Sequence, residues 1–204
     1  MQFNEAQIQA IQHNTGPCMV IAGPGSGKTT VLTYRVRYLI ERYGVNPSDI
    51  LVITFTKAAA EQMKLKFKGL SEGRNSAVTF GTFHAVFFTI LKAAYNYSAH
   101  CIIKPQIQHE FVKDQMCRLE LEYDDENEAV AGVLSEISCV KGEDVNIDEY
   151  ESRCIPPQSF RIMYRAYDDM LVRKHLIDFD DMIVQCRELL MQREDYRRAW
   201  QNKY

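Results

Sequence analysis

The fold is decided by the stretch Ala22-Gly-Pro-Gly-Ser-Gly-Lys-Thr29, which lies between a short apolar run and a helical pattern. It matches the P-loop pattern, with an alanine where the first glycine often stands. Gly25 and Gly27 allow the backbone to curl so that several amide groups point at one anion, and the positive end of the following helix adds to the attraction. Lys28 supplies a positive charge for phosphate groups, and the Thr29 hydroxyl can bind Mg²⁺. The alternative is a glycine-rich turn that binds nothing, and the Lys-Thr pair in this context disfavours it.

The apolar patterns around this stretch predict alternating strands and helices. Strands are predicted at 18–22, 50–54 and 77–80, and helices from after Asn4 to about His13, from the P-loop to Tyr43, and at about 57–67 and 82–95. This order implies a parallel sheet with helices on both faces. The fold class is therefore α/β, and three strands make a small, incomplete sheet.

Local signals mark the ends of two of these helices. Asn4 is a predicted N-cap, and Gln7, three residues later, completes a capping box. Gly44 and Pro47 are expected to end the long helix that follows the P-loop.

The character of the sequence changes after about residue 98. From there to 175 the pattern is helical, with proline breaks, and two further helices are predicted at about 180–191 and 194–203. We therefore predict a core at 1–97, a mostly helical insertion at 98–176 and a return to the core at 177–204.

Composition narrows the protein class. The chain has 204 residues, 46% hydrophobic and 25% charged, which is ordinary for a globular protein. No apolar run approaches the ~20 residues of a membrane span, and the N-terminus has no signal-peptide pattern. The six cysteines are scattered and form no CxxC pair, so we expect a reducing, cytoplasmic environment and no membrane.

Charge is distributed unevenly along the chain. Residues 1–119 carry 13 basic and 7 acidic side chains, whereas 120–151 carry one basic and 12 acidic. A polyanionic partner should therefore meet the first segment and avoid the second. The acidic run by itself is best interpreted as a solvated face.

Five patterns in order resemble one family. Beside the P-loop these are Phe3–Gln7, Thr54–Met63, Gly81–Ala85 and Ile177–Ile183. The chain resembles the N-terminal portion of superfamily 1 DNA helicases of the UvrD/Rep/PcrA type. The resemblance implies a P-loop NTPase (RecA-like) core with an inserted helical accessory domain that contacts duplex DNA. It also implies ATP and Mg²⁺ as cofactors and movement on single-stranded DNA.

The resemblance assigns roles to particular residues. Gln7 would bind adenine, although its capping role alone could explain it. The residues implied in nucleotide binding are Gln7, Gly23, Gly25, Ser26, Gly27, Lys28, Thr29 and Thr30, with Lys28 and Thr29 catalytic and Thr29 holding Mg²⁺. Those implied in DNA binding are Thr54, Phe55, Thr56, Lys57, Thr82 and His84.

These DNA roles have physical support and open alternatives. An exposed aromatic ring after a strand can stack on a base without reading sequence, and helix-N-terminal amides can hold a phosphate. Phe55 could instead belong to the core, and His84 could be a buried hydrogen-bonding residue. The chain departs from the family at Ala58 and Ala85, where no side-chain contact is expected.

Hydrolysis also needs a carboxylate that holds Mg²⁺. The tempting stretch is Leu176–Asp181, but its apolar run is short and Asp178 fits better as the N-cap of the next helix. We expect the Asp-Glu motif and a second RecA-like core in a longer parent chain, and expect these 204 residues alone to be inactive. The alternatives are a helicase subunit of a helicase–nuclease, a P-loop phosphotransferase and a non-catalytic DNA-binding module.

Overall fold

The computed structural model describes residues 2–71 and 77–204, so Met1 and 72–76 of the predicted core lie outside the described residues. The helices are α1 Glu5–Gln12, α2 Lys28–Tyr43, α3 Lys57–Leu70, α4 Phe83–Tyr95, α5 Pro105–Arg118, α6 Glu126–Glu143, α7 Pro157–Arg173, α8 Phe179–Gln192 and α9 Glu194–Gln201. The strands are β1 Leu51–Thr54 and β2 Thr79–Thr82. Among the described residues, no helix is long and apolar enough to cross a membrane.

The chain packs into two compact units. One comprises Met1–Val86 with Arg197–Tyr204, and the other Phe87–Tyr196. The sequence predicts a core at 1–97, a helical insertion at 98–176 and a return to the core at 177–204. The division into two compact units does not test whether the helical part is an insertion. These boundaries stay a prediction.

The first unit contains a small parallel sheet. β1 pairs with β2 in the register Leu51 to Thr79 and Thr54 to Thr82. Apolar side chains from the sheet and the neighbouring helices form a buried cluster, which consists of Val36, Ile50, Val52, Phe67 and Val78. Since the strands are parallel, their carboxyl ends lie at the same edge of the sheet.

The predicted strand at 18–22 is wrong. These residues have no regular secondary structure, and Met19, Val20 and Ile21 are 86%, 55% and 91% exposed. A strand exists only where its backbone amides and carbonyls meet a neighbouring strand, and in the described chain β1 and β2 pair only with each other. The predicted strand at 77–80 is displaced to Thr79–Thr82, and the next helix begins at Phe83.

Local helix signals are confirmed. Asn4 and Gln7 form the predicted capping box at the start of α1. α2 ends at Tyr43, and the C-cap residue Gly44 has a left-handed backbone (φ 67°) and donates its amide hydrogen to the Leu39 carbonyl oxygen. Glycine suits this position because other residues rarely adopt a positive φ.

The second unit is helical, as the periodicity predicts. α5, α6 and α7 surround a core that includes Val112, Val130, Phe160, Met163 and Tyr167. A parallel bridge between Ile102 and Ile177 ties the segment before α5 to the segment before α8.

Candidate nucleotide and nucleic-acid sites

The P-loop has the backbone geometry that its glycines predict. Gly25 and Gly27 have φ of 75° and 85°, and Gly27 is the N-cap of α2. A side chain at either position would strain the loop, because L residues rarely adopt this conformation. Lys28 and Thr29 are therefore the first two residues of α2 and lie at its N-terminus, the positive end of the helix dipole.

The Lys28 ammonium group lies over the carbonyl oxygens of its own loop. Its Nζ donates to the Gly23 oxygen at 2.7 Å and to the Ala22 oxygen at 3.0 Å. Ser26 Oγ also donates to the Gly23 oxygen, at 2.7 Å. The Lys28 ammonium and the Ser26 hydroxyl thus both donate to the Gly23 carbonyl oxygen. A cation and a hydroxyl donor placed this close together suit the binding of an anion.

Gln7 performs two tasks at once. Its Oε1 accepts from the Asn4 amide at 3.0 Å, which is the capping role, and its Nε2 donates to the Ser26 carbonyl oxygen at 3.1 Å. A Cβ added to Gly27 would lie 3.5 Å from this Nε2. The amide that caps α1 therefore also faces the P-loop.

A cavity of about 340 Å³ joins these groups. It brings together Gln7, Ser26 and Lys28 among the residues predicted for nucleotide binding, and it is also lined by Asn4, Ala6, Ala10, Val20, Ile21, Ala22, Val31, Leu32 and Arg35. Gly23, Gly25, Gly27, Thr29 and Thr30 are not part of its lining. The backbone carbonyls of Thr29 and Thr30 accept from the Thr33 hydroxyl at 3.1 and 2.9 Å.

The residues predicted for DNA binding follow the two strands. After β1, Phe55 is 91% exposed, so the alternative that it belongs to the core is wrong. Thr56 is the N-cap of α3 and accepts from the Ala59 amide at 3.2 Å, while the Thr54 hydroxyl donates to the Thr56 carbonyl at 2.9 Å. Lys57, the first residue of α3, is exposed beside Glu61.

An aromatic residue that the sequence analysis missed stands at the end of the second strand. Phe83 lies edge-to-face with Phe55, with ring centroids 5.7 Å apart and planes at 60°, and it is 40% exposed. The Thr82 hydroxyl accepts from the Ala85 amide at 3.3 Å. His84 is half-buried in the first turn of α4. The strand ends thus form an aromatic pair flanked by hydroxyl groups.

Comparison with known proteins identifies the family of the chain. The model of the family described as "UvrD/REP helicase N-terminal domain" matches residues 3–204. The chain belongs to this family. A P-loop NTPase fold follows from membership of the UvrD/REP helicase N-terminal domain family.

Similar curated proteins carry helicase names. The chain is 33% identical to the ATP-dependent DNA helicase Rep of Escherichia coli (strain K12), with 100% of this chain and 31% of that protein covered. It is 29% identical to the ATP-dependent DNA helicase PcrA of Staphylococcus epidermidis (strain ATCC 35984), with 99% and 28% covered. The chain thus spans less than a third of the length of these relatives.

In this UvrD/REP family member, the segment before α8 holds a buried ion network rather than a free carboxylate. Lys141 Nζ on α6 lies 2.7 Å from Asp181 Oδ1, 2.9 Å from Asp168 Oδ1 and 3.0 Å from Asp178 Oδ2. Asp178 is the N-cap of α8, as predicted, and accepts from the Asp181 amide at 2.7 Å. The alternative that Leu176–Asp181 supplies the metal carboxylate therefore loses its support.

Burial and competition for one cation set the ionisation of this network. Burial alone would lower the pKa of Lys141, but attraction by Asp178, Asp181 and Asp168 outweighs it, so the pKa is raised. Burial and repulsion by Asp178 raise the pKa of Asp181 to about 6. The three carboxylates share one ammonium group, and Tyr167 Oη adds a hydrogen bond to Asp178 at 3.2 Å.

Two features of the sequence point to this network. Lys141 is the single basic residue within the acidic run 120–151, and two of its partners belong to the Asp-rich start of α8. Among the described residues, no group of three or more His, Cys, Asp or Glu side chains is placed to hold a metal ion.

Proposed function

We propose that this chain is the N-terminal, nucleotide- and DNA-binding part of an ATP-dependent DNA helicase. The longer protein would couple ATP hydrolysis to movement along single-stranded DNA and to unwinding of duplex DNA, with a second RecA-like core completing the ATP site. The observation that carries the proposal is that Gln7, Ser26 and Lys28 line one cavity beside the P-loop. A cytoplasmic location is part of the same proposal.

The P-loop residues fit a nucleoside triphosphate. Its phosphate oxygens would take the place of the Ala22 and Gly23 carbonyls as acceptors for Lys28, and the amides of the loop and of the α2 N-terminus would hold the remaining charge. Gly23, Gly25, Ser26, Gly27 and Thr30 contribute through this backbone, and Gln7 would pair with adenine through its amide.

Mg²⁺ would be held chiefly by the phosphates. Thr29 would supply one hydroxyl oxygen, in keeping with the preference of Mg²⁺ for few protein ligands plus phosphate and water. When bound, the ion would neutralise charge on the phosphates. Since Asp178 and Asp181 are bound to Lys141, we expect the 204-residue chain to show no ATP hydrolysis and no unwinding.

Single-stranded DNA would lie at the ends of β1 and β2. Phe55 would stack on a base, which requires no particular sequence. The hydroxyls of Thr56 and Thr82, the Lys57 ammonium and the His84 imidazole would contact the sugar–phosphate backbone. Thr54 is buried, and its hydroxyl would support this contact through its hydrogen bond to the Thr56 carbonyl. Stacking on a base and contacts to the sugar–phosphate backbone would both bind single-stranded DNA without recognising its sequence.

Titration of labelled single-stranded oligonucleotide at two salt concentrations tests the proposal. We expect binding that weakens as salt rises, because phosphate contacts release counterions. ATP binding, followed by NMR titration, should weaken in Lys28→Met and not in Lys92→Met, a matched change elsewhere. ATP binding without salt-dependent DNA binding would instead support a phosphotransferase, and DNA binding with no ATP binding would support a non-catalytic module.

A further inference from the structure

The carboxyl end of α1 is held by two side chains of α2 that reach its backbone. Arg35 Nη1 donates to the Ala10 carbonyl oxygen at 3.0 Å and also to the His13 carbonyl oxygen. Tyr43 Oη donates to the Gln12 carbonyl oxygen at 3.1 Å. The last carbonyls of a helix lack partners within the helix and carry partial negative charge, so a guanidinium group there both satisfies and attracts them.

Both apolar and polar contacts hold this helix against α2. Ile11 is the buried residue of α1, and Phe3, which precedes the helix, lies edge-to-face with Tyr34 of α2, with ring centroids 4.8 Å apart. The polar anchors at the carboxyl end are the side chains of Arg35 and Tyr43, and of these two Arg35 is the charged one. A charged donor contributes more than the neutral Tyr43 hydroxyl.

The opposite end of the same helix carries Gln7. α1 has eight residues and a length of about 12 Å, so it moves as one rigid rod. Displacing its carboxyl end would displace the Gln7 amide from the Ser26 carbonyl, 3.1 Å away. Arg35 and Gln7 also line the same cavity.

We infer that Arg35 is a positioning residue for base recognition: by clamping the carboxyl end of α1, it sets the Gln7 amide where adenine would pair with it. This inference rests on the proposed function, in which Gln7 binds adenine. It assigns Arg35 no contact with the phosphates, which would be held by Lys28 and the loop backbone.

Base selectivity provides the test. NMR titrations with ATP, GTP and inorganic tripolyphosphate would compare the wild-type chain with Arg35→Leu, Arg35→Lys and Gln7→Ala, and with Tyr43→Phe as a matched loss of the neutral anchor. In Arg35→Leu we expect the ATP affinity to fall about five- to tenfold, and GTP and tripolyphosphate affinities to stay unchanged. Arg35→Lys should fall between Arg35→Leu and wild type, and Tyr43→Phe should lose less than about threefold. In a Gln7→Ala background, Arg35→Leu should have no further effect on the preference for ATP.

Three results would overturn the inference. The first is that Arg35→Leu keeps the wild-type preference for ATP over GTP, although Gln7→Ala abolishes this preference. Another is an equal loss of affinity for all three probes, which would mark a general structural role. A wild-type chain with no preference for ATP would contradict the adenine role of Gln7 itself, and the inference would fall with the proposed function. If Arg35→Leu does not fold, Arg35→Lys gives the same comparison.

Discussion

Replacing Lys141 by methionine should cost the second unit much of its stability. The side chain is 4% exposed, and so is that of Asp178, while that of Asp181 is 16% exposed. Methionine preserves the length of the stem but leaves Asp178 and Asp181 without their cation. Removing one partner of a buried ion pair destabilises a protein by about 3–5 kcal/mol, and two buried carboxylates share this ammonium, so we expect a loss in the upper part of that range.

Urea denaturation followed by far-UV circular dichroism would measure this loss, with hydrogen exchange of α6 and α8 amides reporting on the second unit alone. Lys113→Met is the matched control, because Lys113 pairs with Glu126 at the surface, with side chains 52% and 34% exposed. An exposed pair is worth roughly 0–1 kcal/mol. If Lys141→Met lowered the free energy of unfolding by no more than Lys113→Met, the network would not stabilise the fold.

The ionisation of Asp181 and the exposure of Phe55 can each be tested by a substitution. Because the folded pKa of Asp181 is about 6 and lies above its ordinary value of 3.8, the folded state takes up this proton first, so the contribution of Asp181 to the free energy of unfolding should rise by about 1–3 kcal/mol as pH falls from 7 to 4. Asp181→Asn should remove this component in urea titrations across that range, and an unchanged slope would contradict the assignment. Phe55→Ala should weaken binding of single-stranded oligonucleotide by about 1–2 kcal/mol, and Phe83→Leu by less, as measured by fluorescence anisotropy. The control Leu65→Ala changes another exposed apolar side chain, on α3, and a comparable loss there would show that the aromatic pair is not the platform.

Features that depend on neighbouring residues were predictable from the sequence. The capping box of Asn4 and Gln7, the C-cap of α2 at Gly44 and the N-cap at Asp178 are confirmed because each is decided within four or five residues. The P-loop turn belongs with them, since its glycine conformations are local.

Features that depend on distant partners were not predictable. An apolar run such as 18–22 reads as a strand, but a strand is stabilised by its neighbours, and a sequence pattern does not contain them. Lys141 meets Asp178 and Asp181 only after α6 and α8 pack together. Phe83 reaches Phe55 only because two strands run in parallel and in one register.

That parallel register makes the length of β2 as important as its composition. Side chains alternate between the two faces of a strand, so one extra residue within β2 would reverse every face beyond the insertion. The first turn of α4 would then change its orientation relative to β1, and the ring of Phe83 would lose its contact with the ring of Phe55. Insertion or deletion of one residue in β2 should therefore disrupt the aromatic pair at this edge of the sheet more than most single substitutions do.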